Sequence, residues 1–197
     1  MRSPRPTTVH GPRRPLPRRI ALLGSGGAGK STLAARIGAA TGLPVVHLDR
    51  LYFSPGWIEP PSDEWEVTMR ELVARPEWVL DGNYGATAHL RIDAADLVVL
   101  MDTPRWRCLW RVARRRWIHR GTNRPDMADG CDEHLDPTYV HWVWIFPREK
   151  RPRYVQELFV AHERGRESVR LRSRTDADAL VADLADRARR ERHARVR

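Results

Sequence analysis

Short apolar runs alternate along the chain with longer segments whose apolar residues recur at helical spacing. We predict a strand in each run, because the runs are short, rich in β-branched or leucine residues, and bounded by polar residues. The five runs cover residues 19–23, 45–48, 78–80, 97–101 and 169–171. The helical segments cover residues 30–40, 62–74, 104–118, 139–146, 152–164 and 176–190. Strands that alternate with helices predict an α/β fold, a three-layer sandwich around a five-stranded parallel sheet.

The helical segment after the fourth predicted strand combines tryptophans with arginines. Trp106, Trp110 and Trp117 share one stripe at helical spacing, and such a stripe normally faces a core. A neighbouring face carries Arg107, Arg111, Arg114 and Arg115. An irregular stretch follows at residues 121–137. Phosphoryl transfer needs positive charge and exclusion of water, so this stretch predicts a lid. A solvated basic helix face is the alternative.

A glycine-rich loop separates the first predicted strand from the first predicted helix. Residues 24–31 read GSGGAGKS and match the pattern G-x-x-x-x-G-K-[ST]. The glycines let backbone N–H groups turn towards an anion, and the helix adds its positive dipole end. Lys30 would neutralise the β- and γ-phosphates, and Ser31 would offer Mg²⁺ an oxygen. The predicted contacts of a nucleoside triphosphate are Gly24, Ser25, Gly26, Gly27, Ala28, Gly29, Lys30, Ser31 and Thr32.

Three of the predicted strands lead into an aspartate. These are Asp49, Asp81 and Asp102, and ligands of a parallel sheet collect at this edge. A carboxylate there can hold Mg²⁺, orient an acceptor hydroxyl or cap the next helix. Capping stays open for all three, above all for Asp102, which precedes a helix start. Asp81 is followed by a glycine, which suits close approach of a ligand.

The net charge of +10 is unevenly distributed along the 197 residues. Residues 1–19 contain six arginines and no acidic residue, and residues 1–18 contain five prolines. We therefore predict a disordered tail at residues 1–18 and a single domain at residues 19–197. The tail could bind nucleic acid, but solvation is the favoured interpretation.

The cysteine content and the apolar runs indicate the cellular compartment of the protein. Two cysteines give no disulfide framework and fit a reducing compartment. The sequence contains no run of about 18 apolar residues and no secretory leader pattern. The sequence thus predicts a cytoplasmic protein that does not associate with membranes.

Four segments read GSGGAGKST, VVHLDRLYFSPGW, WVLDGNYG and LMDTPRWRCLWRVARRR, and the last is followed by RPDMADGC. Together they resemble a bacterial adenylate-kinase-like P-loop family often labelled DNA topology modulation proteins. The resemblance covers roughly residues 19–175. It implies the strand order 2-3-1-4-5, an acceptor-binding insert at about residues 52–75 and a helical lid at about residues 115–152.

The resemblance also implies roles for single residues. Asp81 would hold Mg²⁺ together with Ser31, and Asp49 would orient the acceptor hydroxyl. Arg111 would pack on the base of ATP, and Arg115 would contact the transferring phosphates. The implied catalytic residues are Lys30, Asp49, Asp81 and Arg115. The implied acceptor contacts are Asp49, Gly82, Asn83, Tyr84, Arg91 and Arg116, and Ser173 would lie near the adenine ring.

These observations predict an ATP-dependent phosphotransferase with an unidentified small-molecule acceptor. The sequence lacks the Asn-Lys-x-Asp run that reads guanine, which favours ATP. Adenylate kinases have an arginine shortly after the motif at Asp81, whereas here the nearest is Arg91, which weakens the case for a nucleoside monophosphate. A nucleotide-dependent DNA-binding regulator and a simple ATPase remain the alternatives.

Overall fold

A parallel sheet forms the centre of the computed structural model, which describes residues 14–118, 127–128, 130–131 and 136–195. Its strands are β1 (Arg19–Gly24), β2 (Val45–His47), β3 (Trp78–Asp81), β4 (Leu97–Met101) and β5 (Glu167–Leu171). They are all parallel and lie in the order β2-β3-β1-β4-β5. The predicted fold class and strand order are therefore confirmed.

Helices connect the strands in the described part of the chain. They are α1 (Lys30–Thr41), α2 (Leu48–Tyr52), α3 (Ser62–Ala74), α4 (Ala88–Ala94), α5 (Arg105–Ile118), α6 (Pro137–Glu149), α7 (Arg151–Glu163) and α8 (Arg174–Arg195). The sequence did not predict α2 and α4, which have only five and seven residues and thus barely one or two turns of periodicity. None of the described helices could cross a bilayer, judged by length and apolar character.

The side chains of β1 show how the sheet separates two cores. Ile20 and Leu22 point to one face, where α1 and α8 contribute the covering residues. Ala21 and Leu23 point to the other face, which α3, α4 and α7 cover. Successive residues of a strand alternate between faces, and both faces are buried, so the strands are continuously apolar. A ligand must therefore bind at the edge where the strands end.

Residues just before the predicted boundary at residue 18 pack against the folded domain. Leu16 is buried, and the Arg18 guanidinium forms ion pairs with Glu77 and Glu191. The expected tail is thus too long by at least residues 16–18, because these residues pack against the body of the fold. Residues 1–13 lie outside the described residues.

Helix α5 does not bury the stripe of tryptophans that its sequence suggested. Trp106, Trp110 and Trp117 are 63%, 61% and 80% exposed, whereas Cys108 and Val112 face the core. At Cys108 the backbone of the helix lies so close to the loop after β1 that a Cβ at Gly27 would come within 2.4 Å of its carbonyl oxygen. The predicted orientation of α5 is therefore wrong, and its tryptophans face outwards.

Asp96 fastens the start of β1 to the residue before β4. Its carboxylate accepts hydrogen bonds from the backbone N–H groups of Arg18 and Arg19 and from the Arg19 guanidinium, each at 2.9 Å. Partial burial raises the pKa of Asp96. The hydrogen bonds from Arg19 and Arg18 lower this pKa by more than burial raises it, so the net shift is downwards. The ionised form of Asp96 therefore stabilises the folded state.

The depressed pKa of Asp96 predicts a pH-dependent contribution to stability. A carboxyl with a lowered folded-state pKa stabilises fully above its unfolded pKa of about 4, and the effect disappears as the pH falls through the folded value. We expect Asp96→Asn to lower the free energy of unfolding by roughly 1–2 kcal/mol at pH 7. Urea unfolding of both proteins should show this difference shrinking below about pH 4. A difference that does not change with pH would contradict the assignment.

Candidate active site

A cleft of about 970 Å³ opens at the carboxyl edge of the sheet. It lies where β1, β3 and α2 converge, which is the usual position of ligands in open parallel sheets. One end is formed by the loop between β1 and α1, and the other end by aromatic residues. The predicted site residues that line the cleft are Gly26, Gly27, Gly29, Lys30, Ser31, Thr32, Asp49, Asp81, Gly82, Asn83, Tyr84, Arg111 and Arg115.

The loop between β1 and α1 is shaped by close contacts with two other helices. A side chain at Gly27 would place its Cβ 2.4 Å from the carbonyl oxygen of Cys108, and the backbone there has a φ of 71°. A Cβ at Gly26 would lie 2.1 Å from the hydroxyl of Tyr139. Only glycine satisfies both the positive φ and the contact at residue 27. The helices α5 and α6 therefore hold this loop in place.

The lysine of the loop lies on its inner side. Lys30 Nζ donates hydrogen bonds to the carbonyl oxygens of Gly24 and Ser25 at 3.0 and 3.1 Å. Gly24, Ser25 and Ala28 are buried and form the base of the loop rather than the wall of the cleft. The ammonium group thus lies inside a loop whose geometry suits an anion.

Two arginines of α5 extend towards the same loop. Arg111 Nη1 donates to the carbonyl oxygens of Gly27 and Ala28 at 3.3 and 3.0 Å. The guanidinium of Arg115 lies 6.0 Å from the centre of the Tyr139 ring, on the α6 side of the cleft. Three positive charges therefore surround the glycine-rich end. Arg116 does not line the cleft.

Asp81 lies at the end of β3, next to β1, and its side chain is buried. Its Oδ2 pairs with His47 Nδ1 at 3.0 Å, and Oδ1 has no hydrogen bond of ordinary geometry with any described residue. Burial raises the pKa of Asp81, but the hydrogen bond from His47, the charge of Lys30 and the Ser31 hydroxyl lower it overall. Asp81 is therefore an ionised carboxylate that faces Lys30 and Ser31.

Asp102 serves a different purpose at the end of β4. Its Oδ2 accepts hydrogen bonds from Nε and Nη2 of Arg170 at 2.9 and 2.5 Å, and its Oδ1 lies 3.6 Å from Arg151. It does not line the cleft. Capping of the next helix was the alternative that the sequence left open for Asp102, and the contacts seen here are ion pairs instead. Asp102 instead joins β4 to β5 and α7 through ion pairs.

Asp49 lies in the first turn of α2 and lines the cleft. The phenol of Tyr84 donates a hydrogen bond to its Oδ1 at 2.6 Å. Burial, together with the nearby Asp49 carboxylate, raises the pKa of Tyr84, so this phenol stays protonated and remains a donor. The Tyr84 phenol therefore orients the Asp49 carboxylate and does not itself accept a proton.

Asn83 and Arg91 connect the end of β3 to the start of the glycine-rich loop through hydrogen bonds. Asn83 Oδ1 accepts from Gly24 N–H at 3.0 Å, and Asn83 Nδ2 donates to the Gly24 carbonyl at 2.5 Å. Arg91 is 1% exposed and donates to the carbonyl oxygen of Asn83. Burial lowers the pKa of Arg91 to about 10, so it stays cationic at neutral pH. Arg91 was expected to contact the acceptor, but its burial makes it a positioning residue.

Ser173 was expected near the adenine ring but instead caps α8. Its hydroxyl accepts the N–H of Asp176 at 3.1 Å, and its own N–H donates to the Asp176 carboxylate at 3.0 Å. This reciprocal pair is a capping box, which satisfies N–H groups at the start of a helix. Ser173 does not line the cleft.

The sequence did not reveal that five aromatic side chains meet at the far end of the cleft. We call them the aromatic wall: Tyr52, Phe53, Trp57, Trp65 and Tyr84. Only Tyr84 had been predicted as a site residue. The run YFSPGW at residues 52–57 was the available signal, because aromatic residues in a proline- and glycine-containing loop have no regular core to fill.

Two comparisons found no match: no protein-family model and no curated protein matches the chain. Solved structures do match. One is shikimate kinase from Acinetobacter baumannii in complex with shikimate, with a TM-score of 0.56, 19% identity, and 85% of this chain and 90% of that chain covered. Another is a gluconokinase from Sinorhizobium meliloti 1021, with a TM-score of 0.51, 17% identity, and 90% and 94% coverage. The chain thus has the fold of these two kinases.

Proposed function

We propose that this protein is an ATP-dependent phosphotransferase that transfers the γ-phosphoryl group of Mg·ATP to a hydroxyl of a small molecule. One observation carries the proposal: a single cleft holds Lys30 and its glycine-rich loop at one end and Asp49 beside an aromatic wall at the other. A simple ATPase would have no use for the second half of this cleft.

The cationic end supplies what phosphoryl transfer requires. Backbone N–H groups of the loop and the start of α1 would bind the phosphates, and Lys30 would neutralise the β- and γ-oxygens. Arg115 would stabilise the charge that develops on the migrating group, and Arg111 would pack on the base of ATP. Little covalent chemistry is needed, so positioning and positive charge account for most of the rate.

The residues around Asp81 fit a magnesium ion. Magnesium prefers oxygen ligands, and the Ser31 hydroxyl and the Asp81 carboxylate offer them at one point of the cleft. Asp81 Oδ1 is buried without a hydrogen bond to the described residues, as a group that binds a metal or its water would be. When bound, the ion would neutralise charge between the β- and γ-phosphates. His47 would orient Asp81 from its other oxygen.

Asp49 would act as the base for the acceptor. The acceptor oxygen attacks the γ-phosphorus, and the bond from that phosphorus to the bridging oxygen breaks. ADP leaves with the electron pair, and the hydroxyl proton moves to the Asp49 carboxylate. Tyr84 keeps the carboxylate oriented through its 2.6 Å hydrogen bond. A positioned base of this kind contributes about 10²–10⁴-fold to a rate.

Residues from the segments that we propose as the acceptor-binding insert and the lid line the cleft. Tyr52, Phe53, Trp57 and Trp65 come from the proposed acceptor-binding insert, and Tyr139 and Trp142 come from the proposed lid. The names of the similar structures point to small hydroxylated acceptors, shikimate in one case and gluconate in the other. Both cysteines are unpaired, in keeping with the cytoplasmic location that we propose.

An acceptor panel tests the proposal. The protein is incubated with Mg²⁺, γ-labelled ATP and single members of a panel of nucleoside monophosphates, sugars and small alcohols. We expect label in at least one organic acceptor, together with saturable ATP binding. Label that appears only in inorganic phosphate, at a rate that no acceptor changes, would favour a simple ATPase.

Replacement of Asp81 or of Asp102 by asparagine should have different effects. We expect Asp81→Asn to lower kcat by about 10²-fold or more and to raise the Mg²⁺ concentration that supports half-maximal rate, because a metal contact is lost. Asp102→Asn should leave the Mg²⁺ requirement unchanged and instead lower the unfolding midpoint, since it breaks a partly buried ion pair. Magnesium titrations and thermal unfolding of both variants check this, and equal Mg²⁺ dependence would refute it.

Nucleotide-dependent DNA binding, the activity suggested by the topology-modulation label, is a second candidate. One observation favours it: Trp106, Trp110 and Trp117 are exposed on α5, with Arg107 and Arg114 lying 4.9 and 5.7 Å from two of the rings. Arginine with exposed aromatic rings is a combination that nucleic acids can contact. Duplex and single-stranded DNA binding should then weaken steeply with salt, fall in Arg114→Ala, and change with ATP.

A further inference from the structure

We propose that Asn83 is a positioning residue for phosphoryl transfer: its side chain binds the backbone of Gly24, so that Lys30 can leave that backbone for a bound triphosphate. This role rests on the proposed function, because it concerns how the same cleft receives ATP. Three features of the structure support it: the likeness of the Asn83 carboxamide to a peptide group, the second donor on each carbonyl that Lys30 binds, and a buried arginine that holds Asn83.

The carboxamide of Asn83 continues the hydrogen bonding between β1 and β3 beyond the end of β3. Leu22 lies opposite Asp81 in this parallel pair, which brings Gly24 and Asn83 to the same level two residues later. Asn83 Oδ1 accepts from the Gly24 N–H at 3.0 Å, and Asn83 Nδ2 donates to the Gly24 carbonyl at 2.5 Å. An asparagine side chain has the same donor and acceptor as a peptide group. It therefore satisfies both backbone groups of Gly24 at once.

Each carbonyl oxygen that Lys30 binds has a second hydrogen-bond donor. The Gly24 oxygen accepts from Lys30 Nζ at 3.0 Å and also from Asn83 Nδ2. The Ser25 oxygen accepts from Lys30 Nζ at 3.1 Å and also from the Ala28 N–H at 3.1 Å. Gly24 and Ser25 are buried, so a carbonyl left without any donor would be costly. Because both oxygens keep a donor when Lys30 leaves, the lysine can move to the phosphates without this cost.

The two second donors differ in origin. The N–H of Ala28 is a backbone group of the glycine-rich loop itself, which any residue except proline would supply. The Asn83 donor is a side-chain group from the loop after β3, so it depends on the residue type. A leucine of similar size at this position would leave the Gly24 carbonyl with Lys30 as its sole donor among the described residues. The lysine would then be bound more firmly to the loop, and ATP would bind less tightly.

A buried arginine holds the main chain of Asn83. Arg91 is 1% exposed, and its Nη2 donates to the carbonyl oxygen of Asn83. Its Nη1 is buried and has no hydrogen-bond partner in the part of the chain that the structure describes. Burial of an incompletely paired cation is costly, and such groups call for a functional or structural reason. Here the cation fixes the position from which the Asn83 carboxamide reaches Gly24.

Unfolding of four full-length proteins without nucleotide tests whether Asn83 and Lys30 share the Gly24 carbonyl. These are the wild type, Asn83→Leu, Lys30→Ala and the double variant. In each single variant one of the two donors remains on this carbonyl, whereas in the double variant neither remains. We expect the double variant to lower the unfolding midpoint by about 2 °C or more beyond the sum of the two single shifts. Shifts that simply add would overturn the proposal.

Titration with a non-hydrolysable ATP analogue and Mg²⁺ tests the release of Lys30. The chain has two lysines, Lys30 and Lys150, so lysine labelled with carbon-13 at Cε gives two NMR signals, which Lys150→Arg assigns. We expect the Lys30 signal of the wild type to shift as the analogue binds, and Asn83→Leu to need about tenfold more analogue for the same shift. ADP formation should show a matching rise in KM for ATP with little change in kcat, because the cost arises before the chemical step.

Thr87→Val is the control for loss of a hydrogen bond elsewhere in the loop after β3. The Thr87 hydroxyl accepts from Trp65 Nε1 at 3.2 Å and donates to the Tyr84 carbonyl at 3.4 Å. This variant should lower the unfolding midpoint and leave the affinity for the analogue unchanged. Wild-type affinity in Asn83→Leu, or an equal loss in Thr87→Val, would refute the proposal alone. Absence of any analogue binding to the wild-type protein would refute the proposed function, and this role of Asn83 with it.

Discussion

Lys30→Ala is expected to reduce phosphoryl transfer by about 10³-fold or more, because it removes the cation that we propose for the β- and γ-phosphates. In the structure its ammonium lies inside the loop, hydrogen bonded to the carbonyl oxygens of Gly24 and Ser25. A bound triphosphate would offer this group charged oxygens in place of neutral carbonyls. ATP affinity should fall together with turnover.

The chain offers a matched control for this variant. Its other lysine is Lys150, which is exposed between α6 and α7, far along the chain from the loop. Lys150→Ala removes the same charge and should leave both ATP binding and turnover unchanged. Calorimetry with an ATP analogue and an assay of ADP formation measure the two effects. Full affinity and turnover in Lys30→Ala would refute the assigned role of the loop.

Asp49→Asn is expected to separate ATP binding from transfer. The amide keeps an oxygen that can accept the Tyr84 hydrogen bond, but it cannot take up the proton of an acceptor hydroxyl. We therefore expect kcat to fall by about 10²–10⁴-fold with little change in ATP affinity. The same substitution at Asp63, an exposed residue in the first turn of α3, is the control.

The decisive comparison for Asp49 is between two rates in one variant. Transfer to the acceptor should be lost, while any slow hydrolysis of ATP should persist, because the phosphate-binding end is intact. Single-turnover measurements with labelled ATP distinguish the two products. Unchanged transfer in Asp49→Asn would leave Asp49 with a structural role in the first turn of α2.

The fold and the position of the glycine-rich loop between β1 and α1 were predictable because the signals lie close together in the sequence. Strand β4, for instance, is a continuous apolar run, since helices cover both faces of the sheet. The loop at residues 24–31 combines glycines, a lysine and a serine at fixed spacing between a strand and a helix. Local spacing of this kind needs no knowledge of distant contacts.

Residues whose role depends on distant contacts were harder to assign. Arg91 looked like an acceptor ligand because it is the first arginine after Asp81 in the sequence, yet its guanidinium is buried beneath Asn83. Ser173 follows β5 as an adenine contact would, yet it caps α8 together with Asp176. In both cases the partner that decides the role is set by how the elements pack. Sequence spacing alone does not show that.

For helix α5, the hydrophobic pattern of the sequence predicted the wrong buried face. The tryptophans dominate the periodicity of its sequence, but the helix buries the smaller Cys108 and Val112 because it approaches the glycine-rich loop closely. The aromatic wall was missed for a related reason. Tyr52, Phe53 and Trp57 lie in a short helix and a loop, and Trp65 and Tyr84 join them only through the fold.

The central claim is that phosphoryl groups pass from ATP to a small organic hydroxyl, and phosphorus-31 NMR tests it most directly. The full-length protein is incubated with ATP, Mg²⁺ and the acceptor that binds most tightly, and the spectrum is followed over time. We predict a new phosphomonoester resonance that grows in equal amount with ADP and is absent with Lys30→Ala. Growth of inorganic phosphate alone, at the same rate with and without the acceptor, would contradict the claim.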